Sequence, residues 1–369
     1  MIKHIALGMK RDKALSIAGV TRHQYYYKSK PGKPGRKQST HTQQFIGTEK
    51  QAIENQKVVE DMKEIQANKD LRCGKTRMTS KLQLMGYLIN EKKVYRLMKQ
   101  HYLLMDKVQR NKREYVKYRI VSPLCPLSHL EMDIKFVWIE SQKSHAYILT
   151  IIDIFTRKTL DWHVGMSITQ HTVKTIFERI IINHLQPNEM LSKQVNIEIR
   201  NDNDRRFSAK MVQEFFKQNY LKQVFTHPYT PQENGHIESF HKILSIALKG
   251  EYFYTLSELE TRLTVFYDNY NNHRTHNAIC GLTPDLFEKA WHNGYIKRIQ
   301  LKNHKVKFKP LKHLSELSGN ESLREASCSK SDALDGRKIL DKKEVNGATT
   351  STTIGTKCHH RSHLAEANL

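Results

Sequence analysis

The stretch Glu131–Trp162, EMDIKFVWIESQKSHAYILTIIDIFTRKTLDW, decides the fold class. EMDIKFVWIE alternates apolar and polar side chains, the period of a strand with two unlike faces. AYILTIIDIF is a near-continuous apolar run of the kind buried on both faces of a sheet, and KTLDWHVGM supplies a third strand. Further along, TVKTIFERIIINHL reads as a helix, VNIEIRNDND as a strand running into an acidic loop, and AKMVQEFFKQNY as a helix. LKQVFTH is a short fifth strand, and a long helix starts within PQENGHIESFHKIL. Three adjacent antiparallel strands followed by alternating helices and strands predict an α/β class, with a mixed five-stranded sheet flanked by helices.

Upstream, the chain is strongly basic. Of a net charge of +24 over 369 residues, +18 falls on residues 1–128, which points to a polyanionic partner and a sequence-independent grip on phosphates. KALSIAGVTRHQYYYKSKPG reads as helix, turn and helix: Gly19 suits a tight turn, and Thr21 with Gln24 has the capping-box spacing. The second helix would present Arg22, His23, Gln24 and Lys28, residue types that read base edges in a major groove. PGKPGRKQSTHTQQ reads as a linker. A second helical unit carries Val58, Val59, Met62 and Ile65 on one face, then Val94, Leu97 and Met98 after an Asn90 cap. Lys92, Lys93, Arg96 and Lys99 occupy its opposite face and are expected to meet phosphates. The resulting organisation is a helix-turn-helix unit (1–30), a linker (31–50), a second all-α DNA-binding unit with a basic connector (51–120), a catalytic core (127–295), a basic extension (296–313) and a disordered tail (314–369). All 32 Phe, Trp and Tyr precede residue 309, which is why the tail lacks the means to build a core.

No apolar run reaches the ~18 residues of a membrane span, and the start lacks a signal-peptide core. Five scattered cysteines exclude a disulfide scaffold and suit a reducing cytoplasm. Cys358-His359-His360 with His363 supplies half a zinc site without a second pair.

Three carboxylates stand out. Asp133 interrupts an apolar strand pattern, Asp202 follows the strand VNIEIR, and Glu238 lies on a helix, with 35 residues separating it from Asp202. Brought together, they would repel unless a cation lay between them. Oxygen ligands favour Mg²⁺, with Mn²⁺ able to substitute, and two such ions suit the attacking and leaving oxygens of a phosphodiester.

The order Asp133, Asp202, Glu238 with its 35-residue spacing resembles the Asp-Asp-35-Glu core of bacterial insertion-sequence transposases of the OrfB type, related to retroviral integrases. The strings EMDIKF, YILTIIDIFTRKTLDW, RNDNDRRFS, TPQENGHIESFHKIL and FYDNYNNHRTHNAICGLTP carry the resemblance over roughly residues 10–292. It implies a ribonuclease-H-like fold and Mg²⁺-dependent cleavage and joining of DNA at element ends. Asp133 and Asp202 would hold the metals, Asp133 bridging, with Glu238 the third ligand. Asn234 and Lys242 would share the Glu238 face and contact DNA. Tyr267, Asn271, Arg274 and His276 are assigned to the family's Tyr-Asn-x-x-Arg-x-His string, as a packing and DNA-positioning element with Arg274 on DNA. Double-stranded DNA, a homo-oligomer on DNA and an OrfA-like partner or fusion are the implied partners.

The chain departs from the family at Asn203, Asp204, Arg205 and Arg206, at Ser245 and at Lys135. Asp204 is either an extra acidic neighbour or a turn residue. A catalytically decayed DNA-binding repressor and a structure-specific nuclease on the same fold are the alternative functions.

Overall fold

Apolar periodicity selects which segments can pack, and the computed structural model shows how they do so. It describes residues 2–28, 38–47, 49–105, 121–191, 196–226, 234–301 and 306–317. Three short helices come first: α1 (Ile2–Ala6), α2 (Arg11–Ile17) and α3 (Arg22–Tyr26). The Thr21 hydroxyl accepts from the Gln24 N–H, and the Gln24 side chain accepts from the Thr21 N–H at 2.9 Å, so the predicted capping box is present. Gly19 turns the chain between α2 and α3 at φ +64°.

The next unit corrects the all-α expectation. Part of the expected linker forms strand β1 (His41–Ile46), which pairs antiparallel with β2 (Glu49–Glu54). Helices α4 (Asn55–Ala67) and α5 (Lys75–Leu84) follow, then the two-residue strand β3 (Tyr87–Leu88) and helix α6 (Glu91–Gln100). β3 joins β1 through Gln43 and Gln44, giving a small sheet in the order β2-β1-β3. Its strands show no clean alternation because most of their side chains face solvent. The helices form the predicted apolar faces, with Val58, Val59, Met62, Ile65, Val94, Leu97 and Met98 in one core.

The central sheet is built from β4 (His129–Ile139), β5 (Ser144–Asp153) and β6 (Thr159–Gly165), then helix α7 (Gln170–Ile180), β7 (Ile197–Asn201), helix α8 (Lys210–Gln218) and β8 (Leu221–Phe225). Its order is β6-β5-β4-β7-β8, with β4–β5 and β5–β6 antiparallel and β4–β7 and β7–β8 parallel. This is the expected mixed five-stranded sheet flanked by helices. Alternation along β4 sends Met132 and Ile134 to one face, against α7 and α8 residues such as Phe177 and Phe216. The other face packs on helices α9 (Gly235–Ala247) and α10 (Leu256–Asp268) through Ile237, Phe240, Leu263 and Phe266.

Helix α11 (Pro284–His292) and the hairpin β9 (Ile296–Gln300) and β10 (Val306–Pro310) complete the described chain. The expected basic extension is thus largely a hairpin, anchored where Phe308 meets Phe155 and Phe287. Among the described residues, no helix is long and apolar enough to cross a membrane. The basic connector from 106 to 120, the tail beyond 317 and the Cys358 cluster lie outside the described residues.

Candidate active site

Parallel pairing of β4 with β7 ends at Glu131 and Arg200, so β4 continues past its neighbour just where Asp133 sits. Asp202 is the first residue beyond the β7 end. Chain geometry therefore brings the two acids side by side at a point where the sheet opens. The Asp133 side chain is 28% exposed; one oxygen accepts from the Ile134 N–H at 2.8 Å, and the other lies 3.2 Å from His241 Nδ1. Burial raises the Asp202 carboxyl above the usual carboxylate range, and the charges of Asp133 and Asp204 push the same way, against a hydrogen bond from the Asp204 N–H.

Glu238 occupies the first turn of α9, exposed, one helical turn before His241. Helix α9 thus touches the acid pair through His241, with Glu238 beside it. Among the described residues, no three His, Cys, Asp or Glu side chains are gathered closely enough to hold a metal ion. The donor chemistry of the two apposed carboxylates nevertheless fits a hard divalent cation, because such an ion removes the repulsion between them.

Asp204 resolves as a turn residue. It accepts from the Arg206 backbone N–H at 2.8 Å and is paired with the Arg206 guanidinium, which holds its carboxyl below the usual range.

Two buried groups at the start of α9 were not singled out by sequence. Glu131, two residues before Asp133 on the same strand face, is fully buried, and its Oε2 accepts the Ile237 N–H at 2.7 Å. Burial pushes its carboxyl up to about 7. Arg157, in the left-handed region at φ +67°, donates to His236 Nδ1, and burial lowers the His236 ring to about 3. The signals for Glu131 and His241 were present: the first by the two-residue period of a strand, the second by its three-residue offset from Glu238.

Several predicted DNA contacts have other partners. Arg22 is ion-paired with Asp12, its Nε donating at 2.9 Å, and Gln24 is engaged in the capping box; His23 is exposed. Lys93 Nζ donates to the His41 carbonyl at 2.6 Å, and Arg96 reaches the Ser39 carbonyl at 3.5 Å, because the unexpected hairpin covers that side of α6; Lys92 stays exposed. Asn234 is buried at the N-terminal end of α9 rather than displayed on its face, whereas Lys242 is exposed.

The tyrosine adjoining Asn271 in the Tyr-Asn-x-x-Arg-x-His string is Tyr270, not Tyr267. Tyr270 is buried against the His276 ring at 4.9 Å. Tyr267 stacks on Trp162 at 4.7 Å, and its hydroxyl is 2.5 Å from Thr150 Oγ1. Asn271 clasps the Thr159 backbone at both its N–H and its carbonyl. Arg274 donates to the Asp70 carbonyl, so it joins the helical unit to the core, and burial lowers it to about 10. The packing part of the expectation is what these contacts display.

The family description "Integrase core domain" matches residues 123–231, and a second description of the same wording matches 219–284. An uncharacterised protein of insertion element IS476 from Xanthomonas euvesicatoria is 24% identical over 60% of this chain and 60% of its own length. The chain therefore spans about 60% of that relative. The transposase for insertion sequence element IS904 from Lactococcus lactis is 23% identical over 65% of this chain and 96% of its own. Among solved structures, the catalytic core domain of BIV integrase overlaps 46% of this chain and 99% of its own at 20% identity, with a TM-score of 0.34. The catalytic domain of Mos1 mariner transposase overlaps 45% of this chain and 76% of its own at 10% identity, with a TM-score of 0.35. The matched span, residues 123–284, is thus similar to integrase core domains, and the relatives it resembles are proteins of insertion elements.

Proposed function

We propose that this chain is a DNA transposase that cleaves and joins strands at the ends of an insertion element. The observation that carries the reading is the apposition of Asp133 and Asp202 at the opening between β4 and β7, within a domain matched as an integrase core. In this reading Asp133 and Asp202 hold Mg²⁺ or Mn²⁺, with Glu238 as the third ligand. When bound, the cation supplies charge stabilisation to the phosphodiester oxygens.

The chain's own residues do the positioning. His241 fixes one Asp133 oxygen and leaves the other side of that carboxylate turned to the strand backbone. Glu131 fixes the start of α9 and hence the place of Glu238. Lys242, exposed on the same helix, meets a DNA phosphate, as does Lys92 on α6. Arg22, His23 and Gln24 are proposed to face element-end DNA, which requires Arg22 to exchange its Asp12 partner for DNA. Two ends must be joined, so a second copy of the chain, with or without an OrfA-like partner, completes the assembly.

The test is strand cleavage of labelled DNA from the gene's own flanks with Mg²⁺ or Mn²⁺. Wild type nicks defined end positions, while Asp202→Asn and Glu238→Gln bind the DNA but do not cut it. Normal cutting by either variant overturns the reading. Binding without cutting by wild type, with an OrfA-like partner also added, points to a repressor instead.

A further inference from the structure

Beyond Glu131, where β7 stops pairing with it, β4 runs on with β5 as a projecting hairpin. One face of this hairpin is covered: Ile139, Ala146 and Ile148 pack with α9 and α10 residues. The opposite face carries Phe136 and Trp138 from β4 and their directly paired neighbours Tyr147 and His145 from β5. Phe136 is 52% and Trp138 46% exposed. The rings meet edge to face, Phe136 with Tyr147 at 5.1 Å and Trp138 with His145 at 5.1 Å. Arg206, four residues beyond Asp202, lies over the Tyr147 ring at 5.2 Å. The aromatic row therefore borders the loop that carries Asp202, and on β4 it lies on the face opposite the Asp133 side chain, with the edge of the strand between them.

We propose that the row Phe136, Trp138, His145 and Tyr147, flanked by Arg206, is a stacking platform for unpaired nucleobases of the DNA strand led to the acid pair. The proposal rests on the transposase reading for the identity of that strand. Aromatic faces beside a guanidinium suit bases and their phosphates together: rings accept the π-faces, and cations accept the backbone. Arg205, beside Arg206 in the loop after Asp202, and Lys143, in the β4–β5 turn at the hairpin tip, are both exposed. A second protein copy fits less well. Two half-exposed rings offer on the order of 200 Å², whereas a stable interface takes about 800 Å² from each partner.

The test is Trp fluorescence of the full chain, without divalent metal, titrated with single-stranded oligothymidylate or with an abasic oligonucleotide of equal length. Oligothymidylate quenches and the abasic strand does not. Trp138→Phe loses the quenching but keeps the affinity. The double variant Phe136→Ala with Trp138→Ala binds oligothymidylate about tenfold or more weakly, while its affinity for duplex DNA is unchanged. Both side chains are exposed, and an unchanged circular dichroism spectrum confirms that the variant folds. Equal affinity for the abasic strand, or for oligothymidylate in the double variant, overturns the platform. So does sedimentation showing a metal-free dimer that the double variant loses, which would assign the face to a second copy. Duplex binding and metal-dependent cutting by wild type are read separately, so failure of base dependence leaves the transposase reading standing.

Discussion

The Glu131 carboxylate accepts the backbone N–H of Ile237 across 106 residues of chain, tying the strand of Asp133 to the helix turn of Glu238. One hydrogen bond thus links the residue two before the first acid to the residue one before the third. Strand and helix could slide on an apolar face alone, because dispersion contacts are non-directional; a bond to a single N–H fixes the helix start. Glu131→Ala leaves that buried donor without its acceptor and should cost about 1–3 kcal/mol. Glu131→Gln keeps a carbonyl oxygen and removes a charge that burial opposes, so its stability should equal or exceed wild type. Urea midpoints compare the two, and a glutamine variant as unstable as the alanine one would refute the assigned bond.

Asp70 joins the helical unit to the helices that cover the five-stranded sheet. It receives Arg262 at 2.7 and 3.1 Å and Asn269 at 3.3 Å, while Arg274 donates to its carbonyl. Its side chain is 6% exposed and that of Arg262 20%. Asp70→Ala leaves the Arg262 guanidinium with Glu251, at 2.9 Å from its Nε, as its remaining acid partner and should destabilise by about 1–2 kcal/mol, discounted for the solvent that reaches Arg262. Limited proteolysis should then release the core from residues 1–105 faster than in wild type; an unchanged cleavage rate would deny Asp70 this coupling role.

Gly281 stands where α5 meets the core. Its φ is +78°, and an added Cβ would come within 2.8 Å of the Ser80 Cβ. Gly281→Ala therefore combines backbone strain with a clash and should cost more than about 1 kcal/mol. Adding Ser80→Gly should recover part of the loss, by relieving the clash and not the strain. Thermal melts of the single and double variants measure both parts.

Two buried groups give the acid branch of stability opposite slopes. Burial lowers His276 to about 3, below its unfolded value of 6.5, so the folded ring stays neutral while the unfolded one gains a proton. Its contribution is complete above pH 6.5 and falls as pH drops towards 3. Burial raises Asp153 to about 6, above its unfolded 3.8, despite hydrogen bonds from Phe155 and Thr156. Its contribution is complete below about 3.8 and is lost as pH rises through 6. Relative to wild type, His276→Gln should thus lose less stability between pH 6.5 and 4, and Asp153→Asn should lose less between pH 4 and 6. Chemical denaturation across pH checks each slope, and either variant paralleling wild type would remove that group from the account.

How much was legible can be followed residue by residue. The strands around Asp133 and before Asp202 were readable because their alternation and apolar runs are local properties. Helix α10 was missed although Thr255 and Glu258 form a capping box whose spacing is written in the chain. The hairpin β1–β2 was missed for a different reason. Its side chains are mostly exposed, so it leaves no apolar pattern, and its third strand, β3, comes from more than forty residues away. That hairpin redirects Lys93 and Arg96 from solvent to the His41 and Ser39 carbonyls.

By itself the sequence determined the sheet class, the two unlike faces of β4 and the helix starts at Thr21 and Asn90, and it singled out Asp133, Asp202 and Glu238 as candidates. Tertiary structure alone decided that Asp202 lies beside Asp133, that His241 supports that carboxylate, and that Glu131 on the same strand face is covered by a helix start. It also decided that Arg274 serves the joint between two units. The physical reason is the range of the interactions: periodicity assigns a residue to a face through its neighbours in the chain, whereas what covers that face depends on strand pairing and helix docking between residues a hundred positions apart.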